Sequence, residues 1–227
     1  MTIAREGYPF AIAIGLLAGA CWAAVAAGVA TSGSIGGILL FVAAAVTSVA
    51  TVFVLWFFRN PEPTVPSDPE LVVAPGQGKV IRIEEVEEDT FIGGPATKIS
   101  IFLSVFDVHV QCSPVDGSVE QKIYRPGAYA VAWADKASED NEMASLGIVA
   151  EHGRVLVRQI AGLVARRILT DPEEGDRVAR GRRFGLIRFG SRVDLFLPRH
   201  WEILSAVGDR VTVGSSAMAR QRPKGDV

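Results

Sequence analysis

The distribution of polar residues divides the chain into two unequal parts. No Asp, Glu, Lys or Arg occurs between Gly7 and Phe58, whereas charged residues recur throughout the rest. A short polar stretch at 31–34 splits this apolar region into runs over about 10–30 and 36–58. A helix needs about 20 apolar residues to cross the hydrocarbon core of a bilayer. The pattern therefore predicts a hairpin of two transmembrane helices within residues 1–59, since core helices of this length usually carry a polar face.

Basic residues flank this hairpin, with Arg5 before the first run and Arg59 after the second. Basic residues beside a span tend to stay in the cytoplasm. Two spans return the chain to the side on which it started, so we expect the remaining residues in the cytoplasm, against the inner membrane of the cell. Small residues such as Gly15 and Gly19 permit close helix packing, either within one hairpin or between the two copies of a homodimer.

The chain after the hairpin has the composition of a β domain. Four prolines between 60 and 69 predict a stiff, extended linker over 60–70. Alternating runs rich in Val, Ile and Phe then predict seven strands, at 79–83, 98–103, 108–111, 118–123, 154–160, 184–189 and 192–197. Residues 171–179 are expected to form a short turn of helix. The sequence predicts a mainly β domain over 71–227, a compact β-sandwich or barrel.

Composition and charge exclude several classes of function. The net charge of −2 argues against a nucleic-acid partner, because such proteins usually carry a basic face. One of the two cysteines, Cys21, lies in the first apolar run and the other, Cys112, in the β region, so no disulfide framework is expected. None of the three histidines has a cysteine or histidine neighbour at zinc-binding spacing, so no metal site is expected.

Two short segments could carry chemistry. Asp107 and His109 alternate within a strand-like run, so the imidazole could act as a general base beside a carboxylate, or the two could form an ordinary surface pair. The dipeptide Gly190-Ser191 separates two further strand-like runs, which is typical of a bulge or a close backbone approach. Because Gly-Ser also occurs at 33–34, 117–118 and 214–215, periodicity alone does not choose among these serines.

A set of segments, in order along nearly the whole chain, resembles the short, membrane-anchored form of phosphatidylserine decarboxylase, a pyruvoyl-dependent family. These segments are residues 5–7, 56–61, 74–80, 100–104, 108–110, 136–142, 158–162, 165–167 and 189–198. The resemblance implies an enzyme that cuts its own chain between Gly190 and Ser191. The Ser191 hydroxyl attacks the Gly190 carbonyl, and elimination and hydrolysis convert residue 191 into a pyruvoyl group. A β chain of residues 1–190 and an α chain beginning at 191 result.

The resemblance also implies the reaction of the mature protein. The pyruvoyl group forms a Schiff base with the amine of phosphatidylserine in the membrane, carbon dioxide leaves, and phosphatidylethanolamine is released for phospholipid biosynthesis. His109 matches the family histidine that serves as base for self-cleavage. No metal is implied. An archaeal-type ether lipid with a serine head group would suit the same chemistry.

One position departs from the family pattern. Where relatives read Pro-Ala-Asp-Gly, this chain has Pro-Gly-Gln-Gly at 75–78, so Gln77 replaces an aspartate thought to orient the histidine. Three alternatives remain open. Gln77 orients His109 itself; another carboxylate takes over, from Asp107, Asp116 or Asp194; or the chain is never processed and is a non-catalytic, membrane-tethered lipid-binding relative.

The substrate pocket follows less directly. The resemblance implies a pocket built from a stretch that contains Lys136, Ser138, Asn141 and Glu142 here, although a solvated polar loop is equally consistent. Arg166 and Arg167 could bind the lipid phosphate, but alternation allows only one of them to face inward.

Two further alternatives concern the serine. Cleavage at Gly214-Ser215 would leave an α chain of only 13 residues, without the strand that follows Ser191. A serine hydrolase using Ser191 and His109 would lack the Gly-x-Ser-x-Gly turn typical of that class.

Overall fold

The structure is a computed structural model that describes residues 2–29, 33–127, 141–162, 167–188 and 191–223. It divides into two compact units, Met1–Pro61 and Glu62–Val227. The first contains a 3-10 turn at Arg5–Gly7 and the helices α1, Tyr8–Ala26, and α2, Ile35–Phe57. The strands in the described ranges are β1 Thr2–Ile3, β2 Arg59–Asn60, β3 Leu71–Val73, β4 Gly78–Glu88, β5 Gly94–Leu103, β6 Val110–Cys112, β7 Gly117–Arg125, β8 Met143–Ala150, β9 Gly153–Ala161, β10 Ile168–Thr170, β11 Arg177–Val178, β12 Arg183–Ile187, β13 Ser191–Pro198, β14 Glu202–Ile203, β15 Arg210–Val211 and β16 Ala217–Arg220.

The first unit is the predicted pair of apolar helices. By length and composition both could cross a membrane, over Arg5–Ala26 and Ile35–Phe57. Ser34 caps α2, because its hydroxyl accepts a hydrogen bond from the Gly37 N–H at 3.1 Å. The helices also contact each other through a polar pair, in which the Trp22 indole N–H donates to the Ser48 hydroxyl at 3.0 Å. Such a bond stabilises a helix pair in an apolar solvent, where neither group has water to bind.

The second unit is built from three antiparallel sheets. The largest has eight strands in the order β11-β7-β8-β9-β13-β5-β4-β15, and the two three-stranded sheets have the orders β10-β12-β6 and β14-β16-β3. Side chains of all three sheets meet in one buried core, for example Val193 of β13, Phe184 of β12 and Met218 of β16. The curled large sheet forms a half-barrel, so the predicted mainly β fold is confirmed.

The structure contains strands beyond the seven predicted, namely the long strand β8 and short strands such as β3, β10, β14 and β16, and one predicted helical turn is not observed. Strand β8 was not predicted, because its residues are buried on both faces and show no alternation. The helical turn expected at 171–179 does not form. Instead β11 pairs with Gly117 and Ser118 at the start of β7, and Gly175 adopts a φ of +93°, outside the range of a right-handed helix.

The proline-rich segment after the helices has neither helix nor strand between residues 61 and 70. Part of it lies along the second unit, where the Thr64 N–H donates to the Ser215 hydroxyl at 3.0 Å. The Arg180 guanidinium donates to the carbonyl oxygens of Pro66 at 2.9 Å and Leu71 at 2.7 Å. These bonds satisfy carbonyl groups that no regular element pairs.

A buried carboxylate stabilises the turn between β4 and β5. Glu88 accepts hydrogen bonds from the Phe91 and Ile92 N–H groups, each at 2.9 Å, and from Thr90. Burial raises the pKa of Glu88, but these hydrogen bonds outweigh it and hold the pKa below its ordinary value. A carboxyl with a lowered folded pKa stabilises the fold above its ordinary pKa, and this stabilisation is lost as the pH falls through the folded value.

We therefore expect Glu88→Gln to lower the free energy of unfolding of the full-length protein at neutral pH by about 1–3 kcal/mol. The measurement is chemical denaturation in detergent over a pH series, in which wild type and variant should converge as the pH falls below the ordinary carboxyl range. Glu85→Gln is the control, since its ion pair with Arg199 is exposed on both sides. Equal losses in the two variants would contradict the role assigned to Glu88.

Candidate active site

Ser191 is the first residue of β13, in the middle of the large sheet. It pairs with Leu103 of β5 on one side and with Ala161 of β9 on the other. Directly paired residues share a face, and Leu103 and Ala161 both belong to the core, so the Ser191 side chain points inward. The residue is fully buried, and its hydroxyl has no hydrogen-bond partner within the described part of the chain. A buried, unsatisfied hydroxyl is costly and is often retained for chemistry.

His109 lies at the same end of the second unit, immediately before β6. Its carbonyl accepts a hydrogen bond from the Ile187 N–H at 3.2 Å, and Ile187 precedes Ser191 by four residues. A connection of that length spans at most about 14 Å, even when fully extended. A second short connection runs from Leu103, the partner of Ser191, to His109 through one turn. The topology thus brings the predicted serine and histidine to one region.

The His109 ring is oriented by a main-chain carbonyl. Its Nδ1 atom lies 3.0 Å from the Asp107 carbonyl oxygen, and the imidazole is fully buried. A carbonyl can only accept a hydrogen bond, so Nδ1 carries the hydrogen of the neutral ring and Nε2 is the basic nitrogen. This arrangement fixes the tautomer without a carboxylate.

The Asp107 carboxylate stabilises the turn that precedes His109. One oxygen accepts hydrogen bonds from the Ser104 N–H at 2.9 Å and hydroxyl at 2.7 Å, and the other lies 3.4 Å from the Arg210 guanidinium. The strand predicted at 108–111 begins only at Val110, because residues 104–107 form a turn that this carboxylate closes. Asp107 therefore contacts the His109 ring through its backbone, and simple strand alternation does not describe the pair.

Two further carboxylates considered for orienting His109 bind other groups. Asp116 accepts a hydrogen bond from the Arg180 N–H at 3.0 Å. Asp194 lies on the opposite face of β13 from Ser191, in a buried ion pair with Arg192 at 2.9 Å. Gln77 is half-buried, and a Cβ added to its neighbour Gly76 would lie 3.4 Å from Val193. The segment that carries Gln77 thus packs beneath the strand of Ser191.

A chain of buried side-chain hydrogen bonds supports the His109 backbone. The Gln111 amide donates to the His109 carbonyl at 2.8 Å, and the Gln159 amide donates to Gln111 Oε1 at 3.0 Å. The Thr170 hydroxyl donates to Gln159 Oε1 at 2.6 Å. The sequence interpretation missed this chain, although two glutamines inside apolar strands were a visible signal, because buried amides require partners.

Asn141 and Glu142 immediately precede β8, and Glu142 lies level with Ala161 of β9 and Ser191 of β13 across the large sheet. The Asn141 amide donates to the Ala161 carbonyl at 2.7 Å, and the Ala161 N–H donates to the Glu142 carbonyl at 3.0 Å. With neighbouring strands about 4.8 Å apart, Glu142 lies roughly 10 Å across the sheet from Ser191, on the same inward face. Its Oε1 accepts from the Tyr124 hydroxyl and the Ile168 N–H, whereas Oε2 is buried and has no partner in the described residues.

The remaining predicted site residues are only partly described. Gly190, Lys136, Ser138 and Arg166 lie outside the described residues. Arg167 is exposed, and its carbonyl accepts a hydrogen bond from the Arg188 N–H at 3.3 Å. It therefore lies in the chain segment next to the connection that leads to Ser191.

Other reactive side chains of the second unit are inert or distant. Burial raises the pKa of the Cys112 thiol to about 12, although the Arg183 charge opposes this, so the thiol stays protonated at neutral pH. His152 and His200 line a cavity of about 560 Å³ beside Pro198, at the other end of β13 from Ser191. Within the described ranges, no group of three or more His, Cys, Asp or Glu residues is placed to bind a metal.

Comparison with known proteins decides the family. The family model described as phosphatidylserine decarboxylase matches residues 50–219. The chain belongs to the phosphatidylserine decarboxylase family. It is 47% identical to the phosphatidylserine decarboxylase proenzyme of Symbiobacterium thermophilum over 96% of this chain and 95% of that one. The proenzymes of Syntrophus aciditrophicus and Geobacter metallireducens are 42% and 41% identical, with 95% of this chain covered in each case and 96% and 95% of theirs.

Membership of the phosphatidylserine decarboxylase family confirms the resemblance drawn from the sequence. The matched region includes both Ser191 and His109, and it extends from the second apolar helix to the last strand. The relatives are named as proenzymes. The region shared with the phosphatidylserine decarboxylase family thus contains the buried Ser191 hydroxyl and the buried His109 ring.

Proposed function

We propose that this protein is a self-processing, pyruvoyl-dependent phosphatidylserine decarboxylase, in which Ser191 is both the nucleophile of cleavage and the source of the cofactor. The observation that carries the proposal is the Ser191 hydroxyl, which is buried without a described hydrogen-bond partner at the start of a central strand. The family relationship supports an enzyme that decarboxylates phosphatidylserine.

Self-cleavage requires a base near Ser191, and His109 fits this role. Its Nδ1–H donates to the Asp107 carbonyl, so Nε2 can take the proton from the Ser191 hydroxyl. The hydroxyl oxygen attacks the Gly190 carbonyl carbon, and the amide bond to the Ser191 nitrogen breaks to form an ester. Loss of the Gly190 carboxylate by β-elimination leaves a dehydroalanine, and hydrolysis yields the pyruvoyl group and ammonia.

Replacement of the family aspartate by Gln77 is compatible with this scheme. A carboxylate near a catalytic histidine holds the correct tautomer and stabilises the imidazolium that forms. Here the Asp107 carbonyl supplies the first of these functions. We propose that His109 works without a carboxylate on Nδ1, so that maturation is slower than in relatives that retain the aspartate.

The fit of a pyruvoyl group at position 191 rests on its surroundings. The group supplies a ketone that binds an amine and accepts the electron pair left by carbon dioxide. Burial of Ser191 shields this position from bulk solvent. We propose that the unpartnered Glu142 oxygen receives the ammonium group of the incoming serine head, and that exposed Arg167 contacts the lipid phosphate.

The two apolar helices are proposed to anchor the protein in the inner membrane, with the second unit on the cytoplasmic side. Their length and composition permit membrane crossing, and Arg5 and Arg59 flank them. The substrate and product of the proposed reaction are both membrane lipids, so anchoring keeps the enzyme beside them.

A carbonyl reagent tests the proposed cofactor. Purified full-length protein in phosphatidylserine vesicles is expected to release carbon dioxide and form phosphatidylethanolamine, and prior treatment with phenylhydrazine should abolish both. Activity that survives phenylhydrazine would contradict a ketone cofactor. Labelling of Ser191 by a fluorophosphonate would instead support a serine hydrolase.

A further inference from the structure

Two tight turns of the second unit each expose one apolar side chain. In the turn at 104–107 the Asp107 N–H donates to the Ser104 carbonyl at 2.9 Å, and Phe106 is 68% exposed. In the turn at 206–209 the Asp209 N–H donates to the Ala206 carbonyl at 3.2 Å, and Val207 is 61% exposed. Single exposed apolar residues are ordinary. Two of them on linked turns need a closer explanation.

An ion pair joins these two turns. The Arg210 guanidinium lies 3.4 Å from the Asp107 carboxylate, with the arginine side chain 69% exposed and the carboxylate side chain only 11% exposed. Lys79 pairs with Arg210 across β4 and β15 and is also exposed. The Asp209 carboxylate accepts a hydrogen bond from the Ala206 N–H at 2.8 Å. The surface therefore presents two apolar tips and two exposed cations, Lys79 and Arg210, alongside the carboxylates of Asp107 and Asp209, so these four groups carry no net charge.

This surface lies beside the proposed active site. The turn at 104–107 is the connection between Leu103, which pairs with Ser191, and His109. Val80, next to Lys79, binds the second turn through its N–H and its carbonyl, and Lys79 pairs with Phe102 of β5, so both turns lie where β4 begins and β5 ends. A lipid that reaches Ser191 keeps its acyl chains in the bilayer, so the bilayer must approach this end of the domain.

We propose that Phe106 and Val207 insert into the interfacial region of the bilayer, with Lys79 and Arg210 contacting anionic lipid head groups. This inference rests on the proposed function and identifies the lipid-facing surface of the same site. The apolar tips gain from leaving water, and the exposed Lys79 ammonium and Arg210 guanidinium can donate to phosphate and carboxylate oxygens of the lipid head groups. The contact presents the head group to the site while the tails stay in the membrane.

The double variant Phe106→Ser/Val207→Ser tests this surface in full-length protein reconstituted in phosphatidylcholine vesicles. One substrate is long-chain phosphatidylserine in the same bilayer, and the other is a short-chain phosphatidylserine supplied as monomers in the water. The variant should lose about tenfold or more of its kcat/KM on the bilayer substrate, because two apolar contacts with the bilayer are removed. Its rate on the monomeric substrate should be unchanged, which also shows that the domain is folded and processed.

The control must be an apolar residue away from the proposed substrate pocket. Ile123 lines the cavity of Glu142 and Arg167 and is therefore unsuitable, so the control that should leave both rates unchanged is Ile92→Ser, in the turn between β4 and β5 at the opposite end of β5 from Leu103. An unchanged rate on the bilayer substrate, or an equal loss on both substrates, would overturn the inference while leaving the proposed function intact. A wild-type protein inactive on both substrates would overturn the proposed function as well.

A direct measurement of depth complements the rates. An environment-sensitive fluorophore on Phe106→Cys, in a Cys21→Ser background, should be quenched by lipids brominated on their acyl chains, whereas the same probe on Ile92→Cys should not. The buried, protonated Cys112 thiol leaves the introduced cysteine as the reactive one. Equal quenching at the two positions would contradict insertion of the turn.

Discussion

Replacing Ser191 with alanine is expected to leave the purified protein as a single chain of about 24.2 kDa with no measurable decarboxylase activity. Alanine lacks the hydroxyl that attacks the Gly190 carbonyl, so neither the ester nor the pyruvoyl group can form. Because the cofactor derives from this residue, the expected effect is complete loss rather than a reduced rate. Denaturing electrophoresis and release of carbon dioxide from phosphatidylserine vesicles measure the two parts of this result.

Ser118→Ala is the matched control for this change. Ser118 also follows a glycine at the start of a strand, since β7 begins with Gly117. It should be cleaved and active like the wild type. Cleavage that continued in the Ser191 variant would move the site to another Gly-Ser bond, of which 214–215 is the alternative identified in the sequence. Cleavage lost in both variants would indicate a general folding effect.

His109→Gln is expected to slow self-cleavage by about 100-fold or more, the usual contribution of a positioned general base. Glutamine can donate a hydrogen bond to the Asp107 carbonyl, but it cannot accept the Ser191 proton. A time course of chain cleavage after translation in vitro gives the rate. His152→Gln, a change at a turn beyond β8, serves as control and should cleave at the wild-type rate.

Asp107→Asn distinguishes a main-chain orienting group from a carboxylate. The substitution keeps the carbonyl that lies 3.0 Å from His109 Nδ1 and can still accept from the Ser104 N–H. If the carbonyl orients the ring, this variant should cleave far faster than His109→Gln. A loss as large as that of His109→Gln would mean that the carboxylate itself is required, as one alternative drawn from the sequence holds.

The sequence predicted the parts of the fold that follow from simple periodicity. Uninterrupted apolar runs predicted α1 and α2, and alternation predicted most strands of the large sheet. Strand β8 was not predicted because its residues are buried on both faces, and a Cβ on Gly147 would overlap the Phe91 ring at 2.7 Å. Such a strand shows no period of two.

The candidate site was predictable in its residue types but not in its contacts. Ser191 and His109 came from family resemblance, because nothing in the spacing of four Gly-Ser dipeptides separates one from another. The orienting carbonyl of Asp107 could not have been predicted, since a main-chain contact leaves no side-chain signature. The turn that creates it depends on bonds from Ser104 to a carboxylate three residues later, which alternation does not describe.

The intact mass of the purified full-length protein under denaturing conditions tests the central claim most directly. The account predicts two chains, a larger one of residues 1–190 and a smaller one that begins at position 191 with a pyruvoyl group in place of serine. A single chain near 24.2 kDa, or a smaller chain that retains an N-terminal serine, would contradict the proposed cofactor. The first of these results would favour the unprocessed, lipid-binding relative suggested by Gln77.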